Sequence, residues 1–145
     1  MMINLEQLNW NLINEVEHII DDNYAETSHF HEPLDIDWNM YMMLDDVFKA
    51  FVMRNDNYRV VGILFFMVHA YPHIKSLLMA QQVTFYVEPK YRRHSLSMIK
   101  ISEDYFKQLG VSIIVQSARY DTEFCNVLDA KGYQRADITY TKRID

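Results

Sequence analysis

Between Tyr58 and Tyr71 the chain is apolar at almost every position, with Val60, Val61, Ile63, Leu64, Phe65, Phe66, Met67 and Val68 in close succession. A strand with one wet face alternates polar and apolar residues, so a strand without that alternation must be covered on both faces. Asn55-Asp56-Asn57 precedes the segment and Pro72 follows it. Asn and Asp tolerate left-handed backbone angles and suit a hairpin turn, while Pro cannot continue a ladder. The segment reads as a central strand that needs helices above and below it.

The flanking sequence supplies them. Leu5, Leu8, Leu12, Ile13, Val16, Ile19 and Ile20 recur at helical spacing, which predicts an amphipathic helix over Leu5–Ile20, ended by Asp21-Asp22-Asn23. A polar stretch with Pro33 leads to a short helix over Asp37–Leu44 and a strand over Val47–Arg54. The Met-rich part, Asn39 to Leu44, reads as core or adaptable packing. A third strand is expected from about Leu77 to Val87, where Pro89 ends it. Met98, Ile99, Ile101, Tyr105, Phe106 and Leu109 then form one apolar face of a helix over Arg92–Leu109, with Gly110 as its cap and Val111–Gln116 as a buried strand. A helix-length connection between two strands of one sheet makes them parallel with a right-handed crossover. A last helix over Thr122–Lys131, stopped by Gly132, precedes an alternating strand over Tyr133–Arg143. The expected class is α/β with a mixed sheet, in one domain over residues 1–145, since no repeat or linker interrupts the chain.

Several function classes fall away. No apolar run approaches the roughly 18 residues of a membrane helix, and no basic segment precedes a hydrophobic one as in a secretory leader. A single cysteine, Cys125, forms no internal disulfide, and the six histidines are scattered without metal-ligand spacing, so a reducing cytoplasm is expected and a metal site is not. The net charge of -6 conceals an asymmetry: residues 1–48 hold 11 Asp and Glu and no Lys or Arg, whereas residues 49–145 hold 14 Lys and Arg against 9 Asp and Glu, and -11 + 5 restores -6. A cationic ligand is drawn to the first part and an anionic one to the second, and general binding of nucleic acid is disfavoured.

The segment Val87-Glu88-Pro89-Lys90-Tyr91-Arg92-Arg93-His94-Ser95-Leu96-Ser97 stands where a strand hands over to a helix. Helix starts expose unpaired N–H groups at the positive end of the dipole, and Lys90, Arg92 and Arg93 add charge, so the junction suits a phosphate. Anions rather than cations are favoured at a helix start, so two adjacent arginines there also point to an anionic ligand. These residues resemble motif A of the GNAT acyltransferases, and Lys131-Gly132-Tyr133 resembles that family's later Gly-Phe/Tyr signature. The resemblance runs from about Glu26 to Ile144 and looks closest to bacteriophage-encoded GNAT-like proteins. Those carry segments similar to Pro33-Leu34-Asp35-Ile36-Asp37-Trp38, His73-Ile74-Lys75 and Tyr140-Thr141-Lys142. It implies a GNAT fold, a mostly antiparallel mixed sheet flanked by helices with one parallel β-α-β unit at the cofactor site. It further implies acetyl-CoA as cosubstrate, with pantetheine near Tyr86 and Val87 and the pyrophosphate on backbone N–H groups from Arg93 to Met98. The implied binding set is Tyr86, Val87, Arg92, Arg93, His94, Ser95, Leu96, Ser97 and Met98.

The chain departs from the family at two places. Ser95 and Ser97 stand where motif A has two small residues, usually Gly, that let phosphates approach the backbone. Each Ser either crowds the pyrophosphate or hydrogen-bonds it. Leu128 stands where many members place a Tyr that protonates the leaving thiolate; Tyr120, Cys125 or water are the substitutes. An ammonium acceptor must lose a proton before attack, and Glu88 at the strand end is the first candidate base, followed by His73 and Asp35.

Two functions follow from the resemblance. One is direct acetyl transfer from acetyl-CoA to an amine, with a cationic small molecule or a protein lysine as acceptor, since the family's N-terminal helices wall the acceptor side. The other is a non-catalytic GNAT-fold interaction protein whose acidic N-terminal face docks on a basic host or virion partner. Membrane and nucleic-acid partners are not expected, and a homodimer is compatible with either. The location would be the bacterial host cytoplasm, or the virion.

Overall fold

A computed structural model describes residues 1–28, 32–120 and 122–145. They form two compact units, Met1–Val115 and Gln116–Asp145.

The first unit is built on a five-stranded sheet in the order β1-β2-β3-β4-β5. Its strands are β1 (Met2–Glu6), β2 (Phe48–Arg54), β3 (Val60–Tyr71), β4 (Ile74–Val87) and β5 (Ile113–Val115). The first four pair antiparallel in sequence, and β5 lies parallel to β4. The helices are α1 (Trp10–Thr27), α2 (Trp38–Met43) and α3 (Ser95–Leu109), with a 3-10 segment over Pro89–His94. Strand alternation sorts the core. Ala50, Val52, Ile63, Phe65 and Tyr86 pack with Leu12, Ile13, Val16 and Ile19 of α1. Phe51, Met53, Leu64, Phe66 and Val87 pack on the other face with Met98 and Phe106 of α3. The unbroken apolar run of β3 is thus explained: successive side chains feed two separate cores.

The parallel β4-α3-β5 unit is as the sequence implied. Gly110 caps α3 in the left-handed region, φ 85°, and the Val111 N–H returns to the Phe106 carbonyl at 2.9 Å. The strand after it is shorter than expected, spanning only Ile113–Val115 and half-buried. Strand β4 begins earlier than Leu77, because Pro72 and His73 form a tight turn that pairs Tyr71 with Ile74.

Three other expectations are corrected. Leu5 belongs to β1, where it opposes Phe51, and not to a helix. Helix α1 starts after Asn9, whose extended backbone and side-chain oxygen cap the Leu12 N–H at 2.9 Å. It runs through Asp21-Asp22-Asn23 to Thr27, since polar residues on a solvated face do not end a helix. In the β2-β3 hairpin the left-handed residue is Tyr58, φ 60°, and not an Asn or Asp. The Asn55 side chain accepts from the N–H groups of Asn57 (3.0 Å) and Arg59 (3.1 Å), which pins the turn and forces Tyr58 into that conformation.

The second unit holds α4 (Glu123–Ala130), followed by Gly132 at φ 88°. Tyr133–Arg143 forms no strand, and from Gln134 onward every residue is exposed, so no buried face fixes a register. Arg135 instead reaches Asp129 on α4 at 2.6 Å. Among the described residues no helix is long and apolar enough to cross a membrane.

Two glycine exchanges test this packing with opposite signs. A Cβ on Gly62 of β3 would meet Val87 Cγ2 at 3.1 Å and Met53 Cβ at 3.3 Å, atoms fixed on neighbouring strands. Gly62→Ala should therefore cost roughly 1–2 kcal/mol in denaturant unfolding. Tyr58→Gly relieves the left-handed strain and should raise stability by about 0.5–1 kcal/mol, net of the entropy that Gly adds to the unfolded chain.

Candidate active site

The parallel pairing of β4 with β5 ends at Gln81 opposite Val115, yet β4 continues to Val87. The last six residues of β4 therefore run on beyond that pairing. Tyr86, 7% exposed, faces α1, and Val87 faces α3. Glu88 then opens the 3-10 segment, with Pro89 at its first position.

That segment brings most of the expected cofactor residues together. Lys90, Arg92 and Arg93 are exposed, and Arg93 Nε donates to His94 Nε2 at 3.1 Å. The helix does not start openly at Arg92. The 3-10 turns pass directly into α3, and the Ser95 N–H is already bonded to the Arg92 carbonyl. Ser95 and Ser97 lie in the first turn of α3, with Leu96 exposed beside them and Met98 fully buried beneath the sheet. An anion seated here meets side-chain cations first and a helical backbone already partly satisfied.

Arg92 is the best-anchored of the cations. Its Nε donates to the Val87 carbonyl (3.1 Å), and its Nη2 reaches both Glu26 oxygens at 3.0 and 2.9 Å. The guanidinium lies over the Tyr86 ring, 5.5 Å from its centroid, and the Tyr86 hydroxyl donates to Glu26 Oε1 at 2.7 Å. Glu26, from the last turn of α1, was not singled out by sequence, because the helix was expected to end at Ile20.

The candidate bases are separated. Glu88 accepts from Arg59 through both oxygens, Nη1 to Oε2 at 3.0 Å and Nη2 to Oε1, and His18 Nε2 stands 3.4 Å from Oε1. It is an ion-pair member with no oxygen left unengaged. His73 sits in the β3-β4 turn against Tyr71, exposed, at the other end of β4. At about 3.3 Å per residue the fourteen residues of β4 put the two roughly 45 Å apart, so they cannot serve one reacting atom.

Asp35 stands elsewhere, in a concave site. A pocket of about 390 Å³ is lined by Glu17, Asp21 and Asp35 together with Trp38, Leu34 and Ile36. A second, of about 280 Å³, shares Ile20, Leu34, Ile36 and Trp38 and continues past Tyr24 and Tyr41 to Val83 and Thr84 of β4. The two adjoin at those shared residues, an acidic groove and an inner pocket that reaches β4. In the second unit, Leu128 is 8% exposed and Cys125 donates to the Arg119 carbonyl at 3.2 Å.

The Glu26 cluster has a titration signature. Glu26 is held below the ordinary carboxylate range, first by the Tyr86 hydroxyl and then by Arg92. Tyr86 is pushed up to about 12, chiefly by burial and then by Glu26. A lowered carboxyl stabilises the fold above its unfolded value near pH 4.5 and loses that contribution as pH falls through the folded value. A raised phenol stabilises below its unfolded value of about 10 and loses it as pH rises through 12. In an ultraviolet titration, Tyr86→Phe should remove a phenol that ionises late, near pH 12. Glu26→Gln should flatten the fall of stability on the acid side.

No family model matches the chain, and no curated protein matches it by sequence. Solved structures do match. It is similar to a ribosomal-protein-alanine N-acetyltransferase from Brucella melitensis, 18% identical, TM-score 0.72, covering 99% of this chain and 100% of that one. It is also similar to an aminoglycoside acetyltransferase from an uncultured soil metagenomic sample, at 16% identity, TM-score 0.72 and coverage of 99% and 97%. A transcriptional regulator from Bacillus halodurans reaches TM-score 0.76 at 11% identity, covering 99% and 100%. The mixed sheet with its parallel β4-β5 pair, flanked by helices on both faces, is the fold of the GNAT acetyltransferases.

Proposed function

We propose that the chain, acting as one domain over residues 1–145, is an acetyl-CoA-dependent N-acyltransferase that moves the acetyl group directly to an amine. The observation that carries this is β4 running on past its parallel partner with Lys90, Arg92 and Arg93 on the following turn. An extended ligand can add main-chain hydrogen bonds along such a strand while its phosphates meet the cations. Pantetheine would lie near Tyr86 and Val87, and the pyrophosphate against Arg92, Arg93, His94, Ser95, Leu96, Ser97 and Met98. Residues of both ends are present, which fits the cosubstrate; the engaged Ser95 N–H makes the phosphate end the tighter one.

In this reading the amine nitrogen attacks the thioester carbon, the C–N bond forms as the C–S bond breaks, and the thiolate leaves. The amine must arrive unprotonated, and a carboxylate or a water takes its proton. With Glu88 held by Arg59, Asp35 in the groove is the base that best reaches an acceptor. Water protonates the leaving thiolate. Holding nucleophile and thioester in line supplies most of the acceleration.

The acceptor is proposed to be cationic. Glu17, Asp21 and Asp35 rim the groove, and Trp38 adds an aromatic face suited to ammonium groups. Two structural neighbours act, by their names, on a ribosomal-protein alanine and on aminoglycosides. Polyamines, aminoglycosides and lysine-bearing proteins are the class proposed here. A bacteriophage source, with action in the host cytoplasm or from the virion, belongs to the same reading.

A second reading is favoured by Ser95 and Ser97 at the phosphate turn and by Leu128: a non-catalytic interaction protein on this fold with an acidic face for a basic partner. Calorimetry and thermal melts with acetyl-CoA separate the two, since a ligand at 100 times its Kd stabilises by about 2.7 kcal/mol. No heat and no shift at millimolar acetyl-CoA would end the enzyme reading. If acetyl-CoA binds, thiol release over an amine panel should favour cations, and Glu17→Gln with Asp21→Asn should raise acceptor KM roughly three- to tenfold, an effect that about 0.5 M salt erases.

A further inference from the structure

We infer that Glu26 is a positioning residue, an internal anion that occupies Arg92 until the cofactor's pyrophosphate displaces it, and that the exchange is felt in the acceptor groove. The inference rests on the cofactor reading above and adds an order of events to it.

Glu26 is next to last in α1, where the helix dipole presents negative partial charge and the last turn holds no basic residue. A carboxylate in that position is stabilised by a cation, and Arg92 supplies one. The same guanidinium stands at the turn where a cofactor anion would sit. Its Nη2 cannot point at Glu26 and at a phosphate together.

The pair is built to be exchanged. Both side chains are about half exposed, 49% for Arg92 and 46% for Glu26, and ion pairs that open to solvent contribute little. Arg92 keeps its Nε bond to the Val87 carbonyl, and its guanidinium is a rigid plane, so the Nη groups stay at the turn while the Glu26 carboxylate turns away from them. Tyr86 keeps its bond to Glu26 Oε1 and holds the released carboxylate near the strand.

The link to the acceptor side lies in the same helical turns. Asn23, Tyr24 and Thr27 line the inner pocket beside Val83 and Thr84, and Glu26 stands on the adjoining face of the same turn. Freeing Glu26 from Arg92 removes a tether on the end of α1, so cofactor binding changes the wall that an acceptor meets.

The experiment is a double-mutant cycle with Glu26→Gln, Arg92→Met and the pair, each checked for a native melt, using CoA and inorganic pyrophosphate as separate probes in calorimetry. Glu26→Gln should bind both probes roughly three- to tenfold tighter, and the gain should vanish on the Arg92→Met background. Equal or weaker binding by Glu26→Gln overturns the inference. So does a gain that survives without Arg92, which would be a general effect of removing charge. If CoA binds no variant, the cofactor reading falls; tighter pyrophosphate binding by Glu26→Gln then still supports the exchange, and its absence refutes it. In a Trp10→Phe background, CoA should change Trp38 emission when Glu26 is present and much less in Glu26→Gln. An unchanged signal with bound CoA overturns the link to the groove.

Discussion

A strand buried on both faces leaves the chain few options. β3 feeds Ile63 and Phe65 to the core under α1, and Leu64 and Phe66 to the core under α3. Each face needs its own helix, and the helices must come from opposite ends of the sequence to avoid crossing the sheet edge. That fixes α1 before the hairpin and α3 after β4. The crossover from β4 through α3 then places β5 parallel to β4, and β4 runs on past Gln81, the last residue that β5 pairs. Gly62 serves the same end, since its missing side chain lets Val87 and Met98 close beneath the strand that leads to the site.

Charge is organised by this frame in a way that composition hides. Part of the acidic N-terminal excess is consumed by arginines from later in the chain. Arg54 joins Glu6 (2.8 Å) and Glu15, and Arg92 joins Glu26, so acids of β1 and α1 are stitched to strand ends and to the 3-10 segment. Glu88, itself late in the chain, meets Arg59 and faces His18 of α1. Residues 15, 18, 22 and 26 follow one face of α1, and three of them take part in these contacts. Glu17 and Asp21 lie on another face, toward the groove with Asp35. The sequence asymmetry thus resolves into a structural stripe and a ligand-facing rim, two roles that a count of charges cannot separate.

The legible parts of the fold were those whose signals are local. The apolar run of β3, the periodicity of α3 and the glycine after it each act over a few residues, and the structure follows them. Leu5 misled because its spacing to Leu8 and Leu12 is helical by coincidence, while its partner, Phe51, is distant in sequence. The Asn9 cap was the local sign of the true start. The alternation in Tyr133–Arg143 named a strand with no buried face to hold it. At the site, the cations of the turn were legible because they are contiguous. Glu26 was not, because its meaning depends on a helix that continues past Asp21-Asp22-Asn23 and on an arginine 66 residues away.

The replacement of glycine by Ser95 and Ser97 has a structural consequence beyond bulk. Glycines at such a junction favour an open loop whose N–H groups point outward. Here the 3-10 turns run straight into α3, and the Ser95 N–H is spent on the Arg92 carbonyl. In the proposed reading, an anion at this turn is met by side chains, Arg92, Arg93 and Lys90, more than by backbone. Side-chain cations, unlike a backbone nest, can be claimed by an internal carboxylate, and Arg92 is claimed by Glu26. In that reading, a site that guanidinium groups hold is one whose affinity the rest of the protein can set.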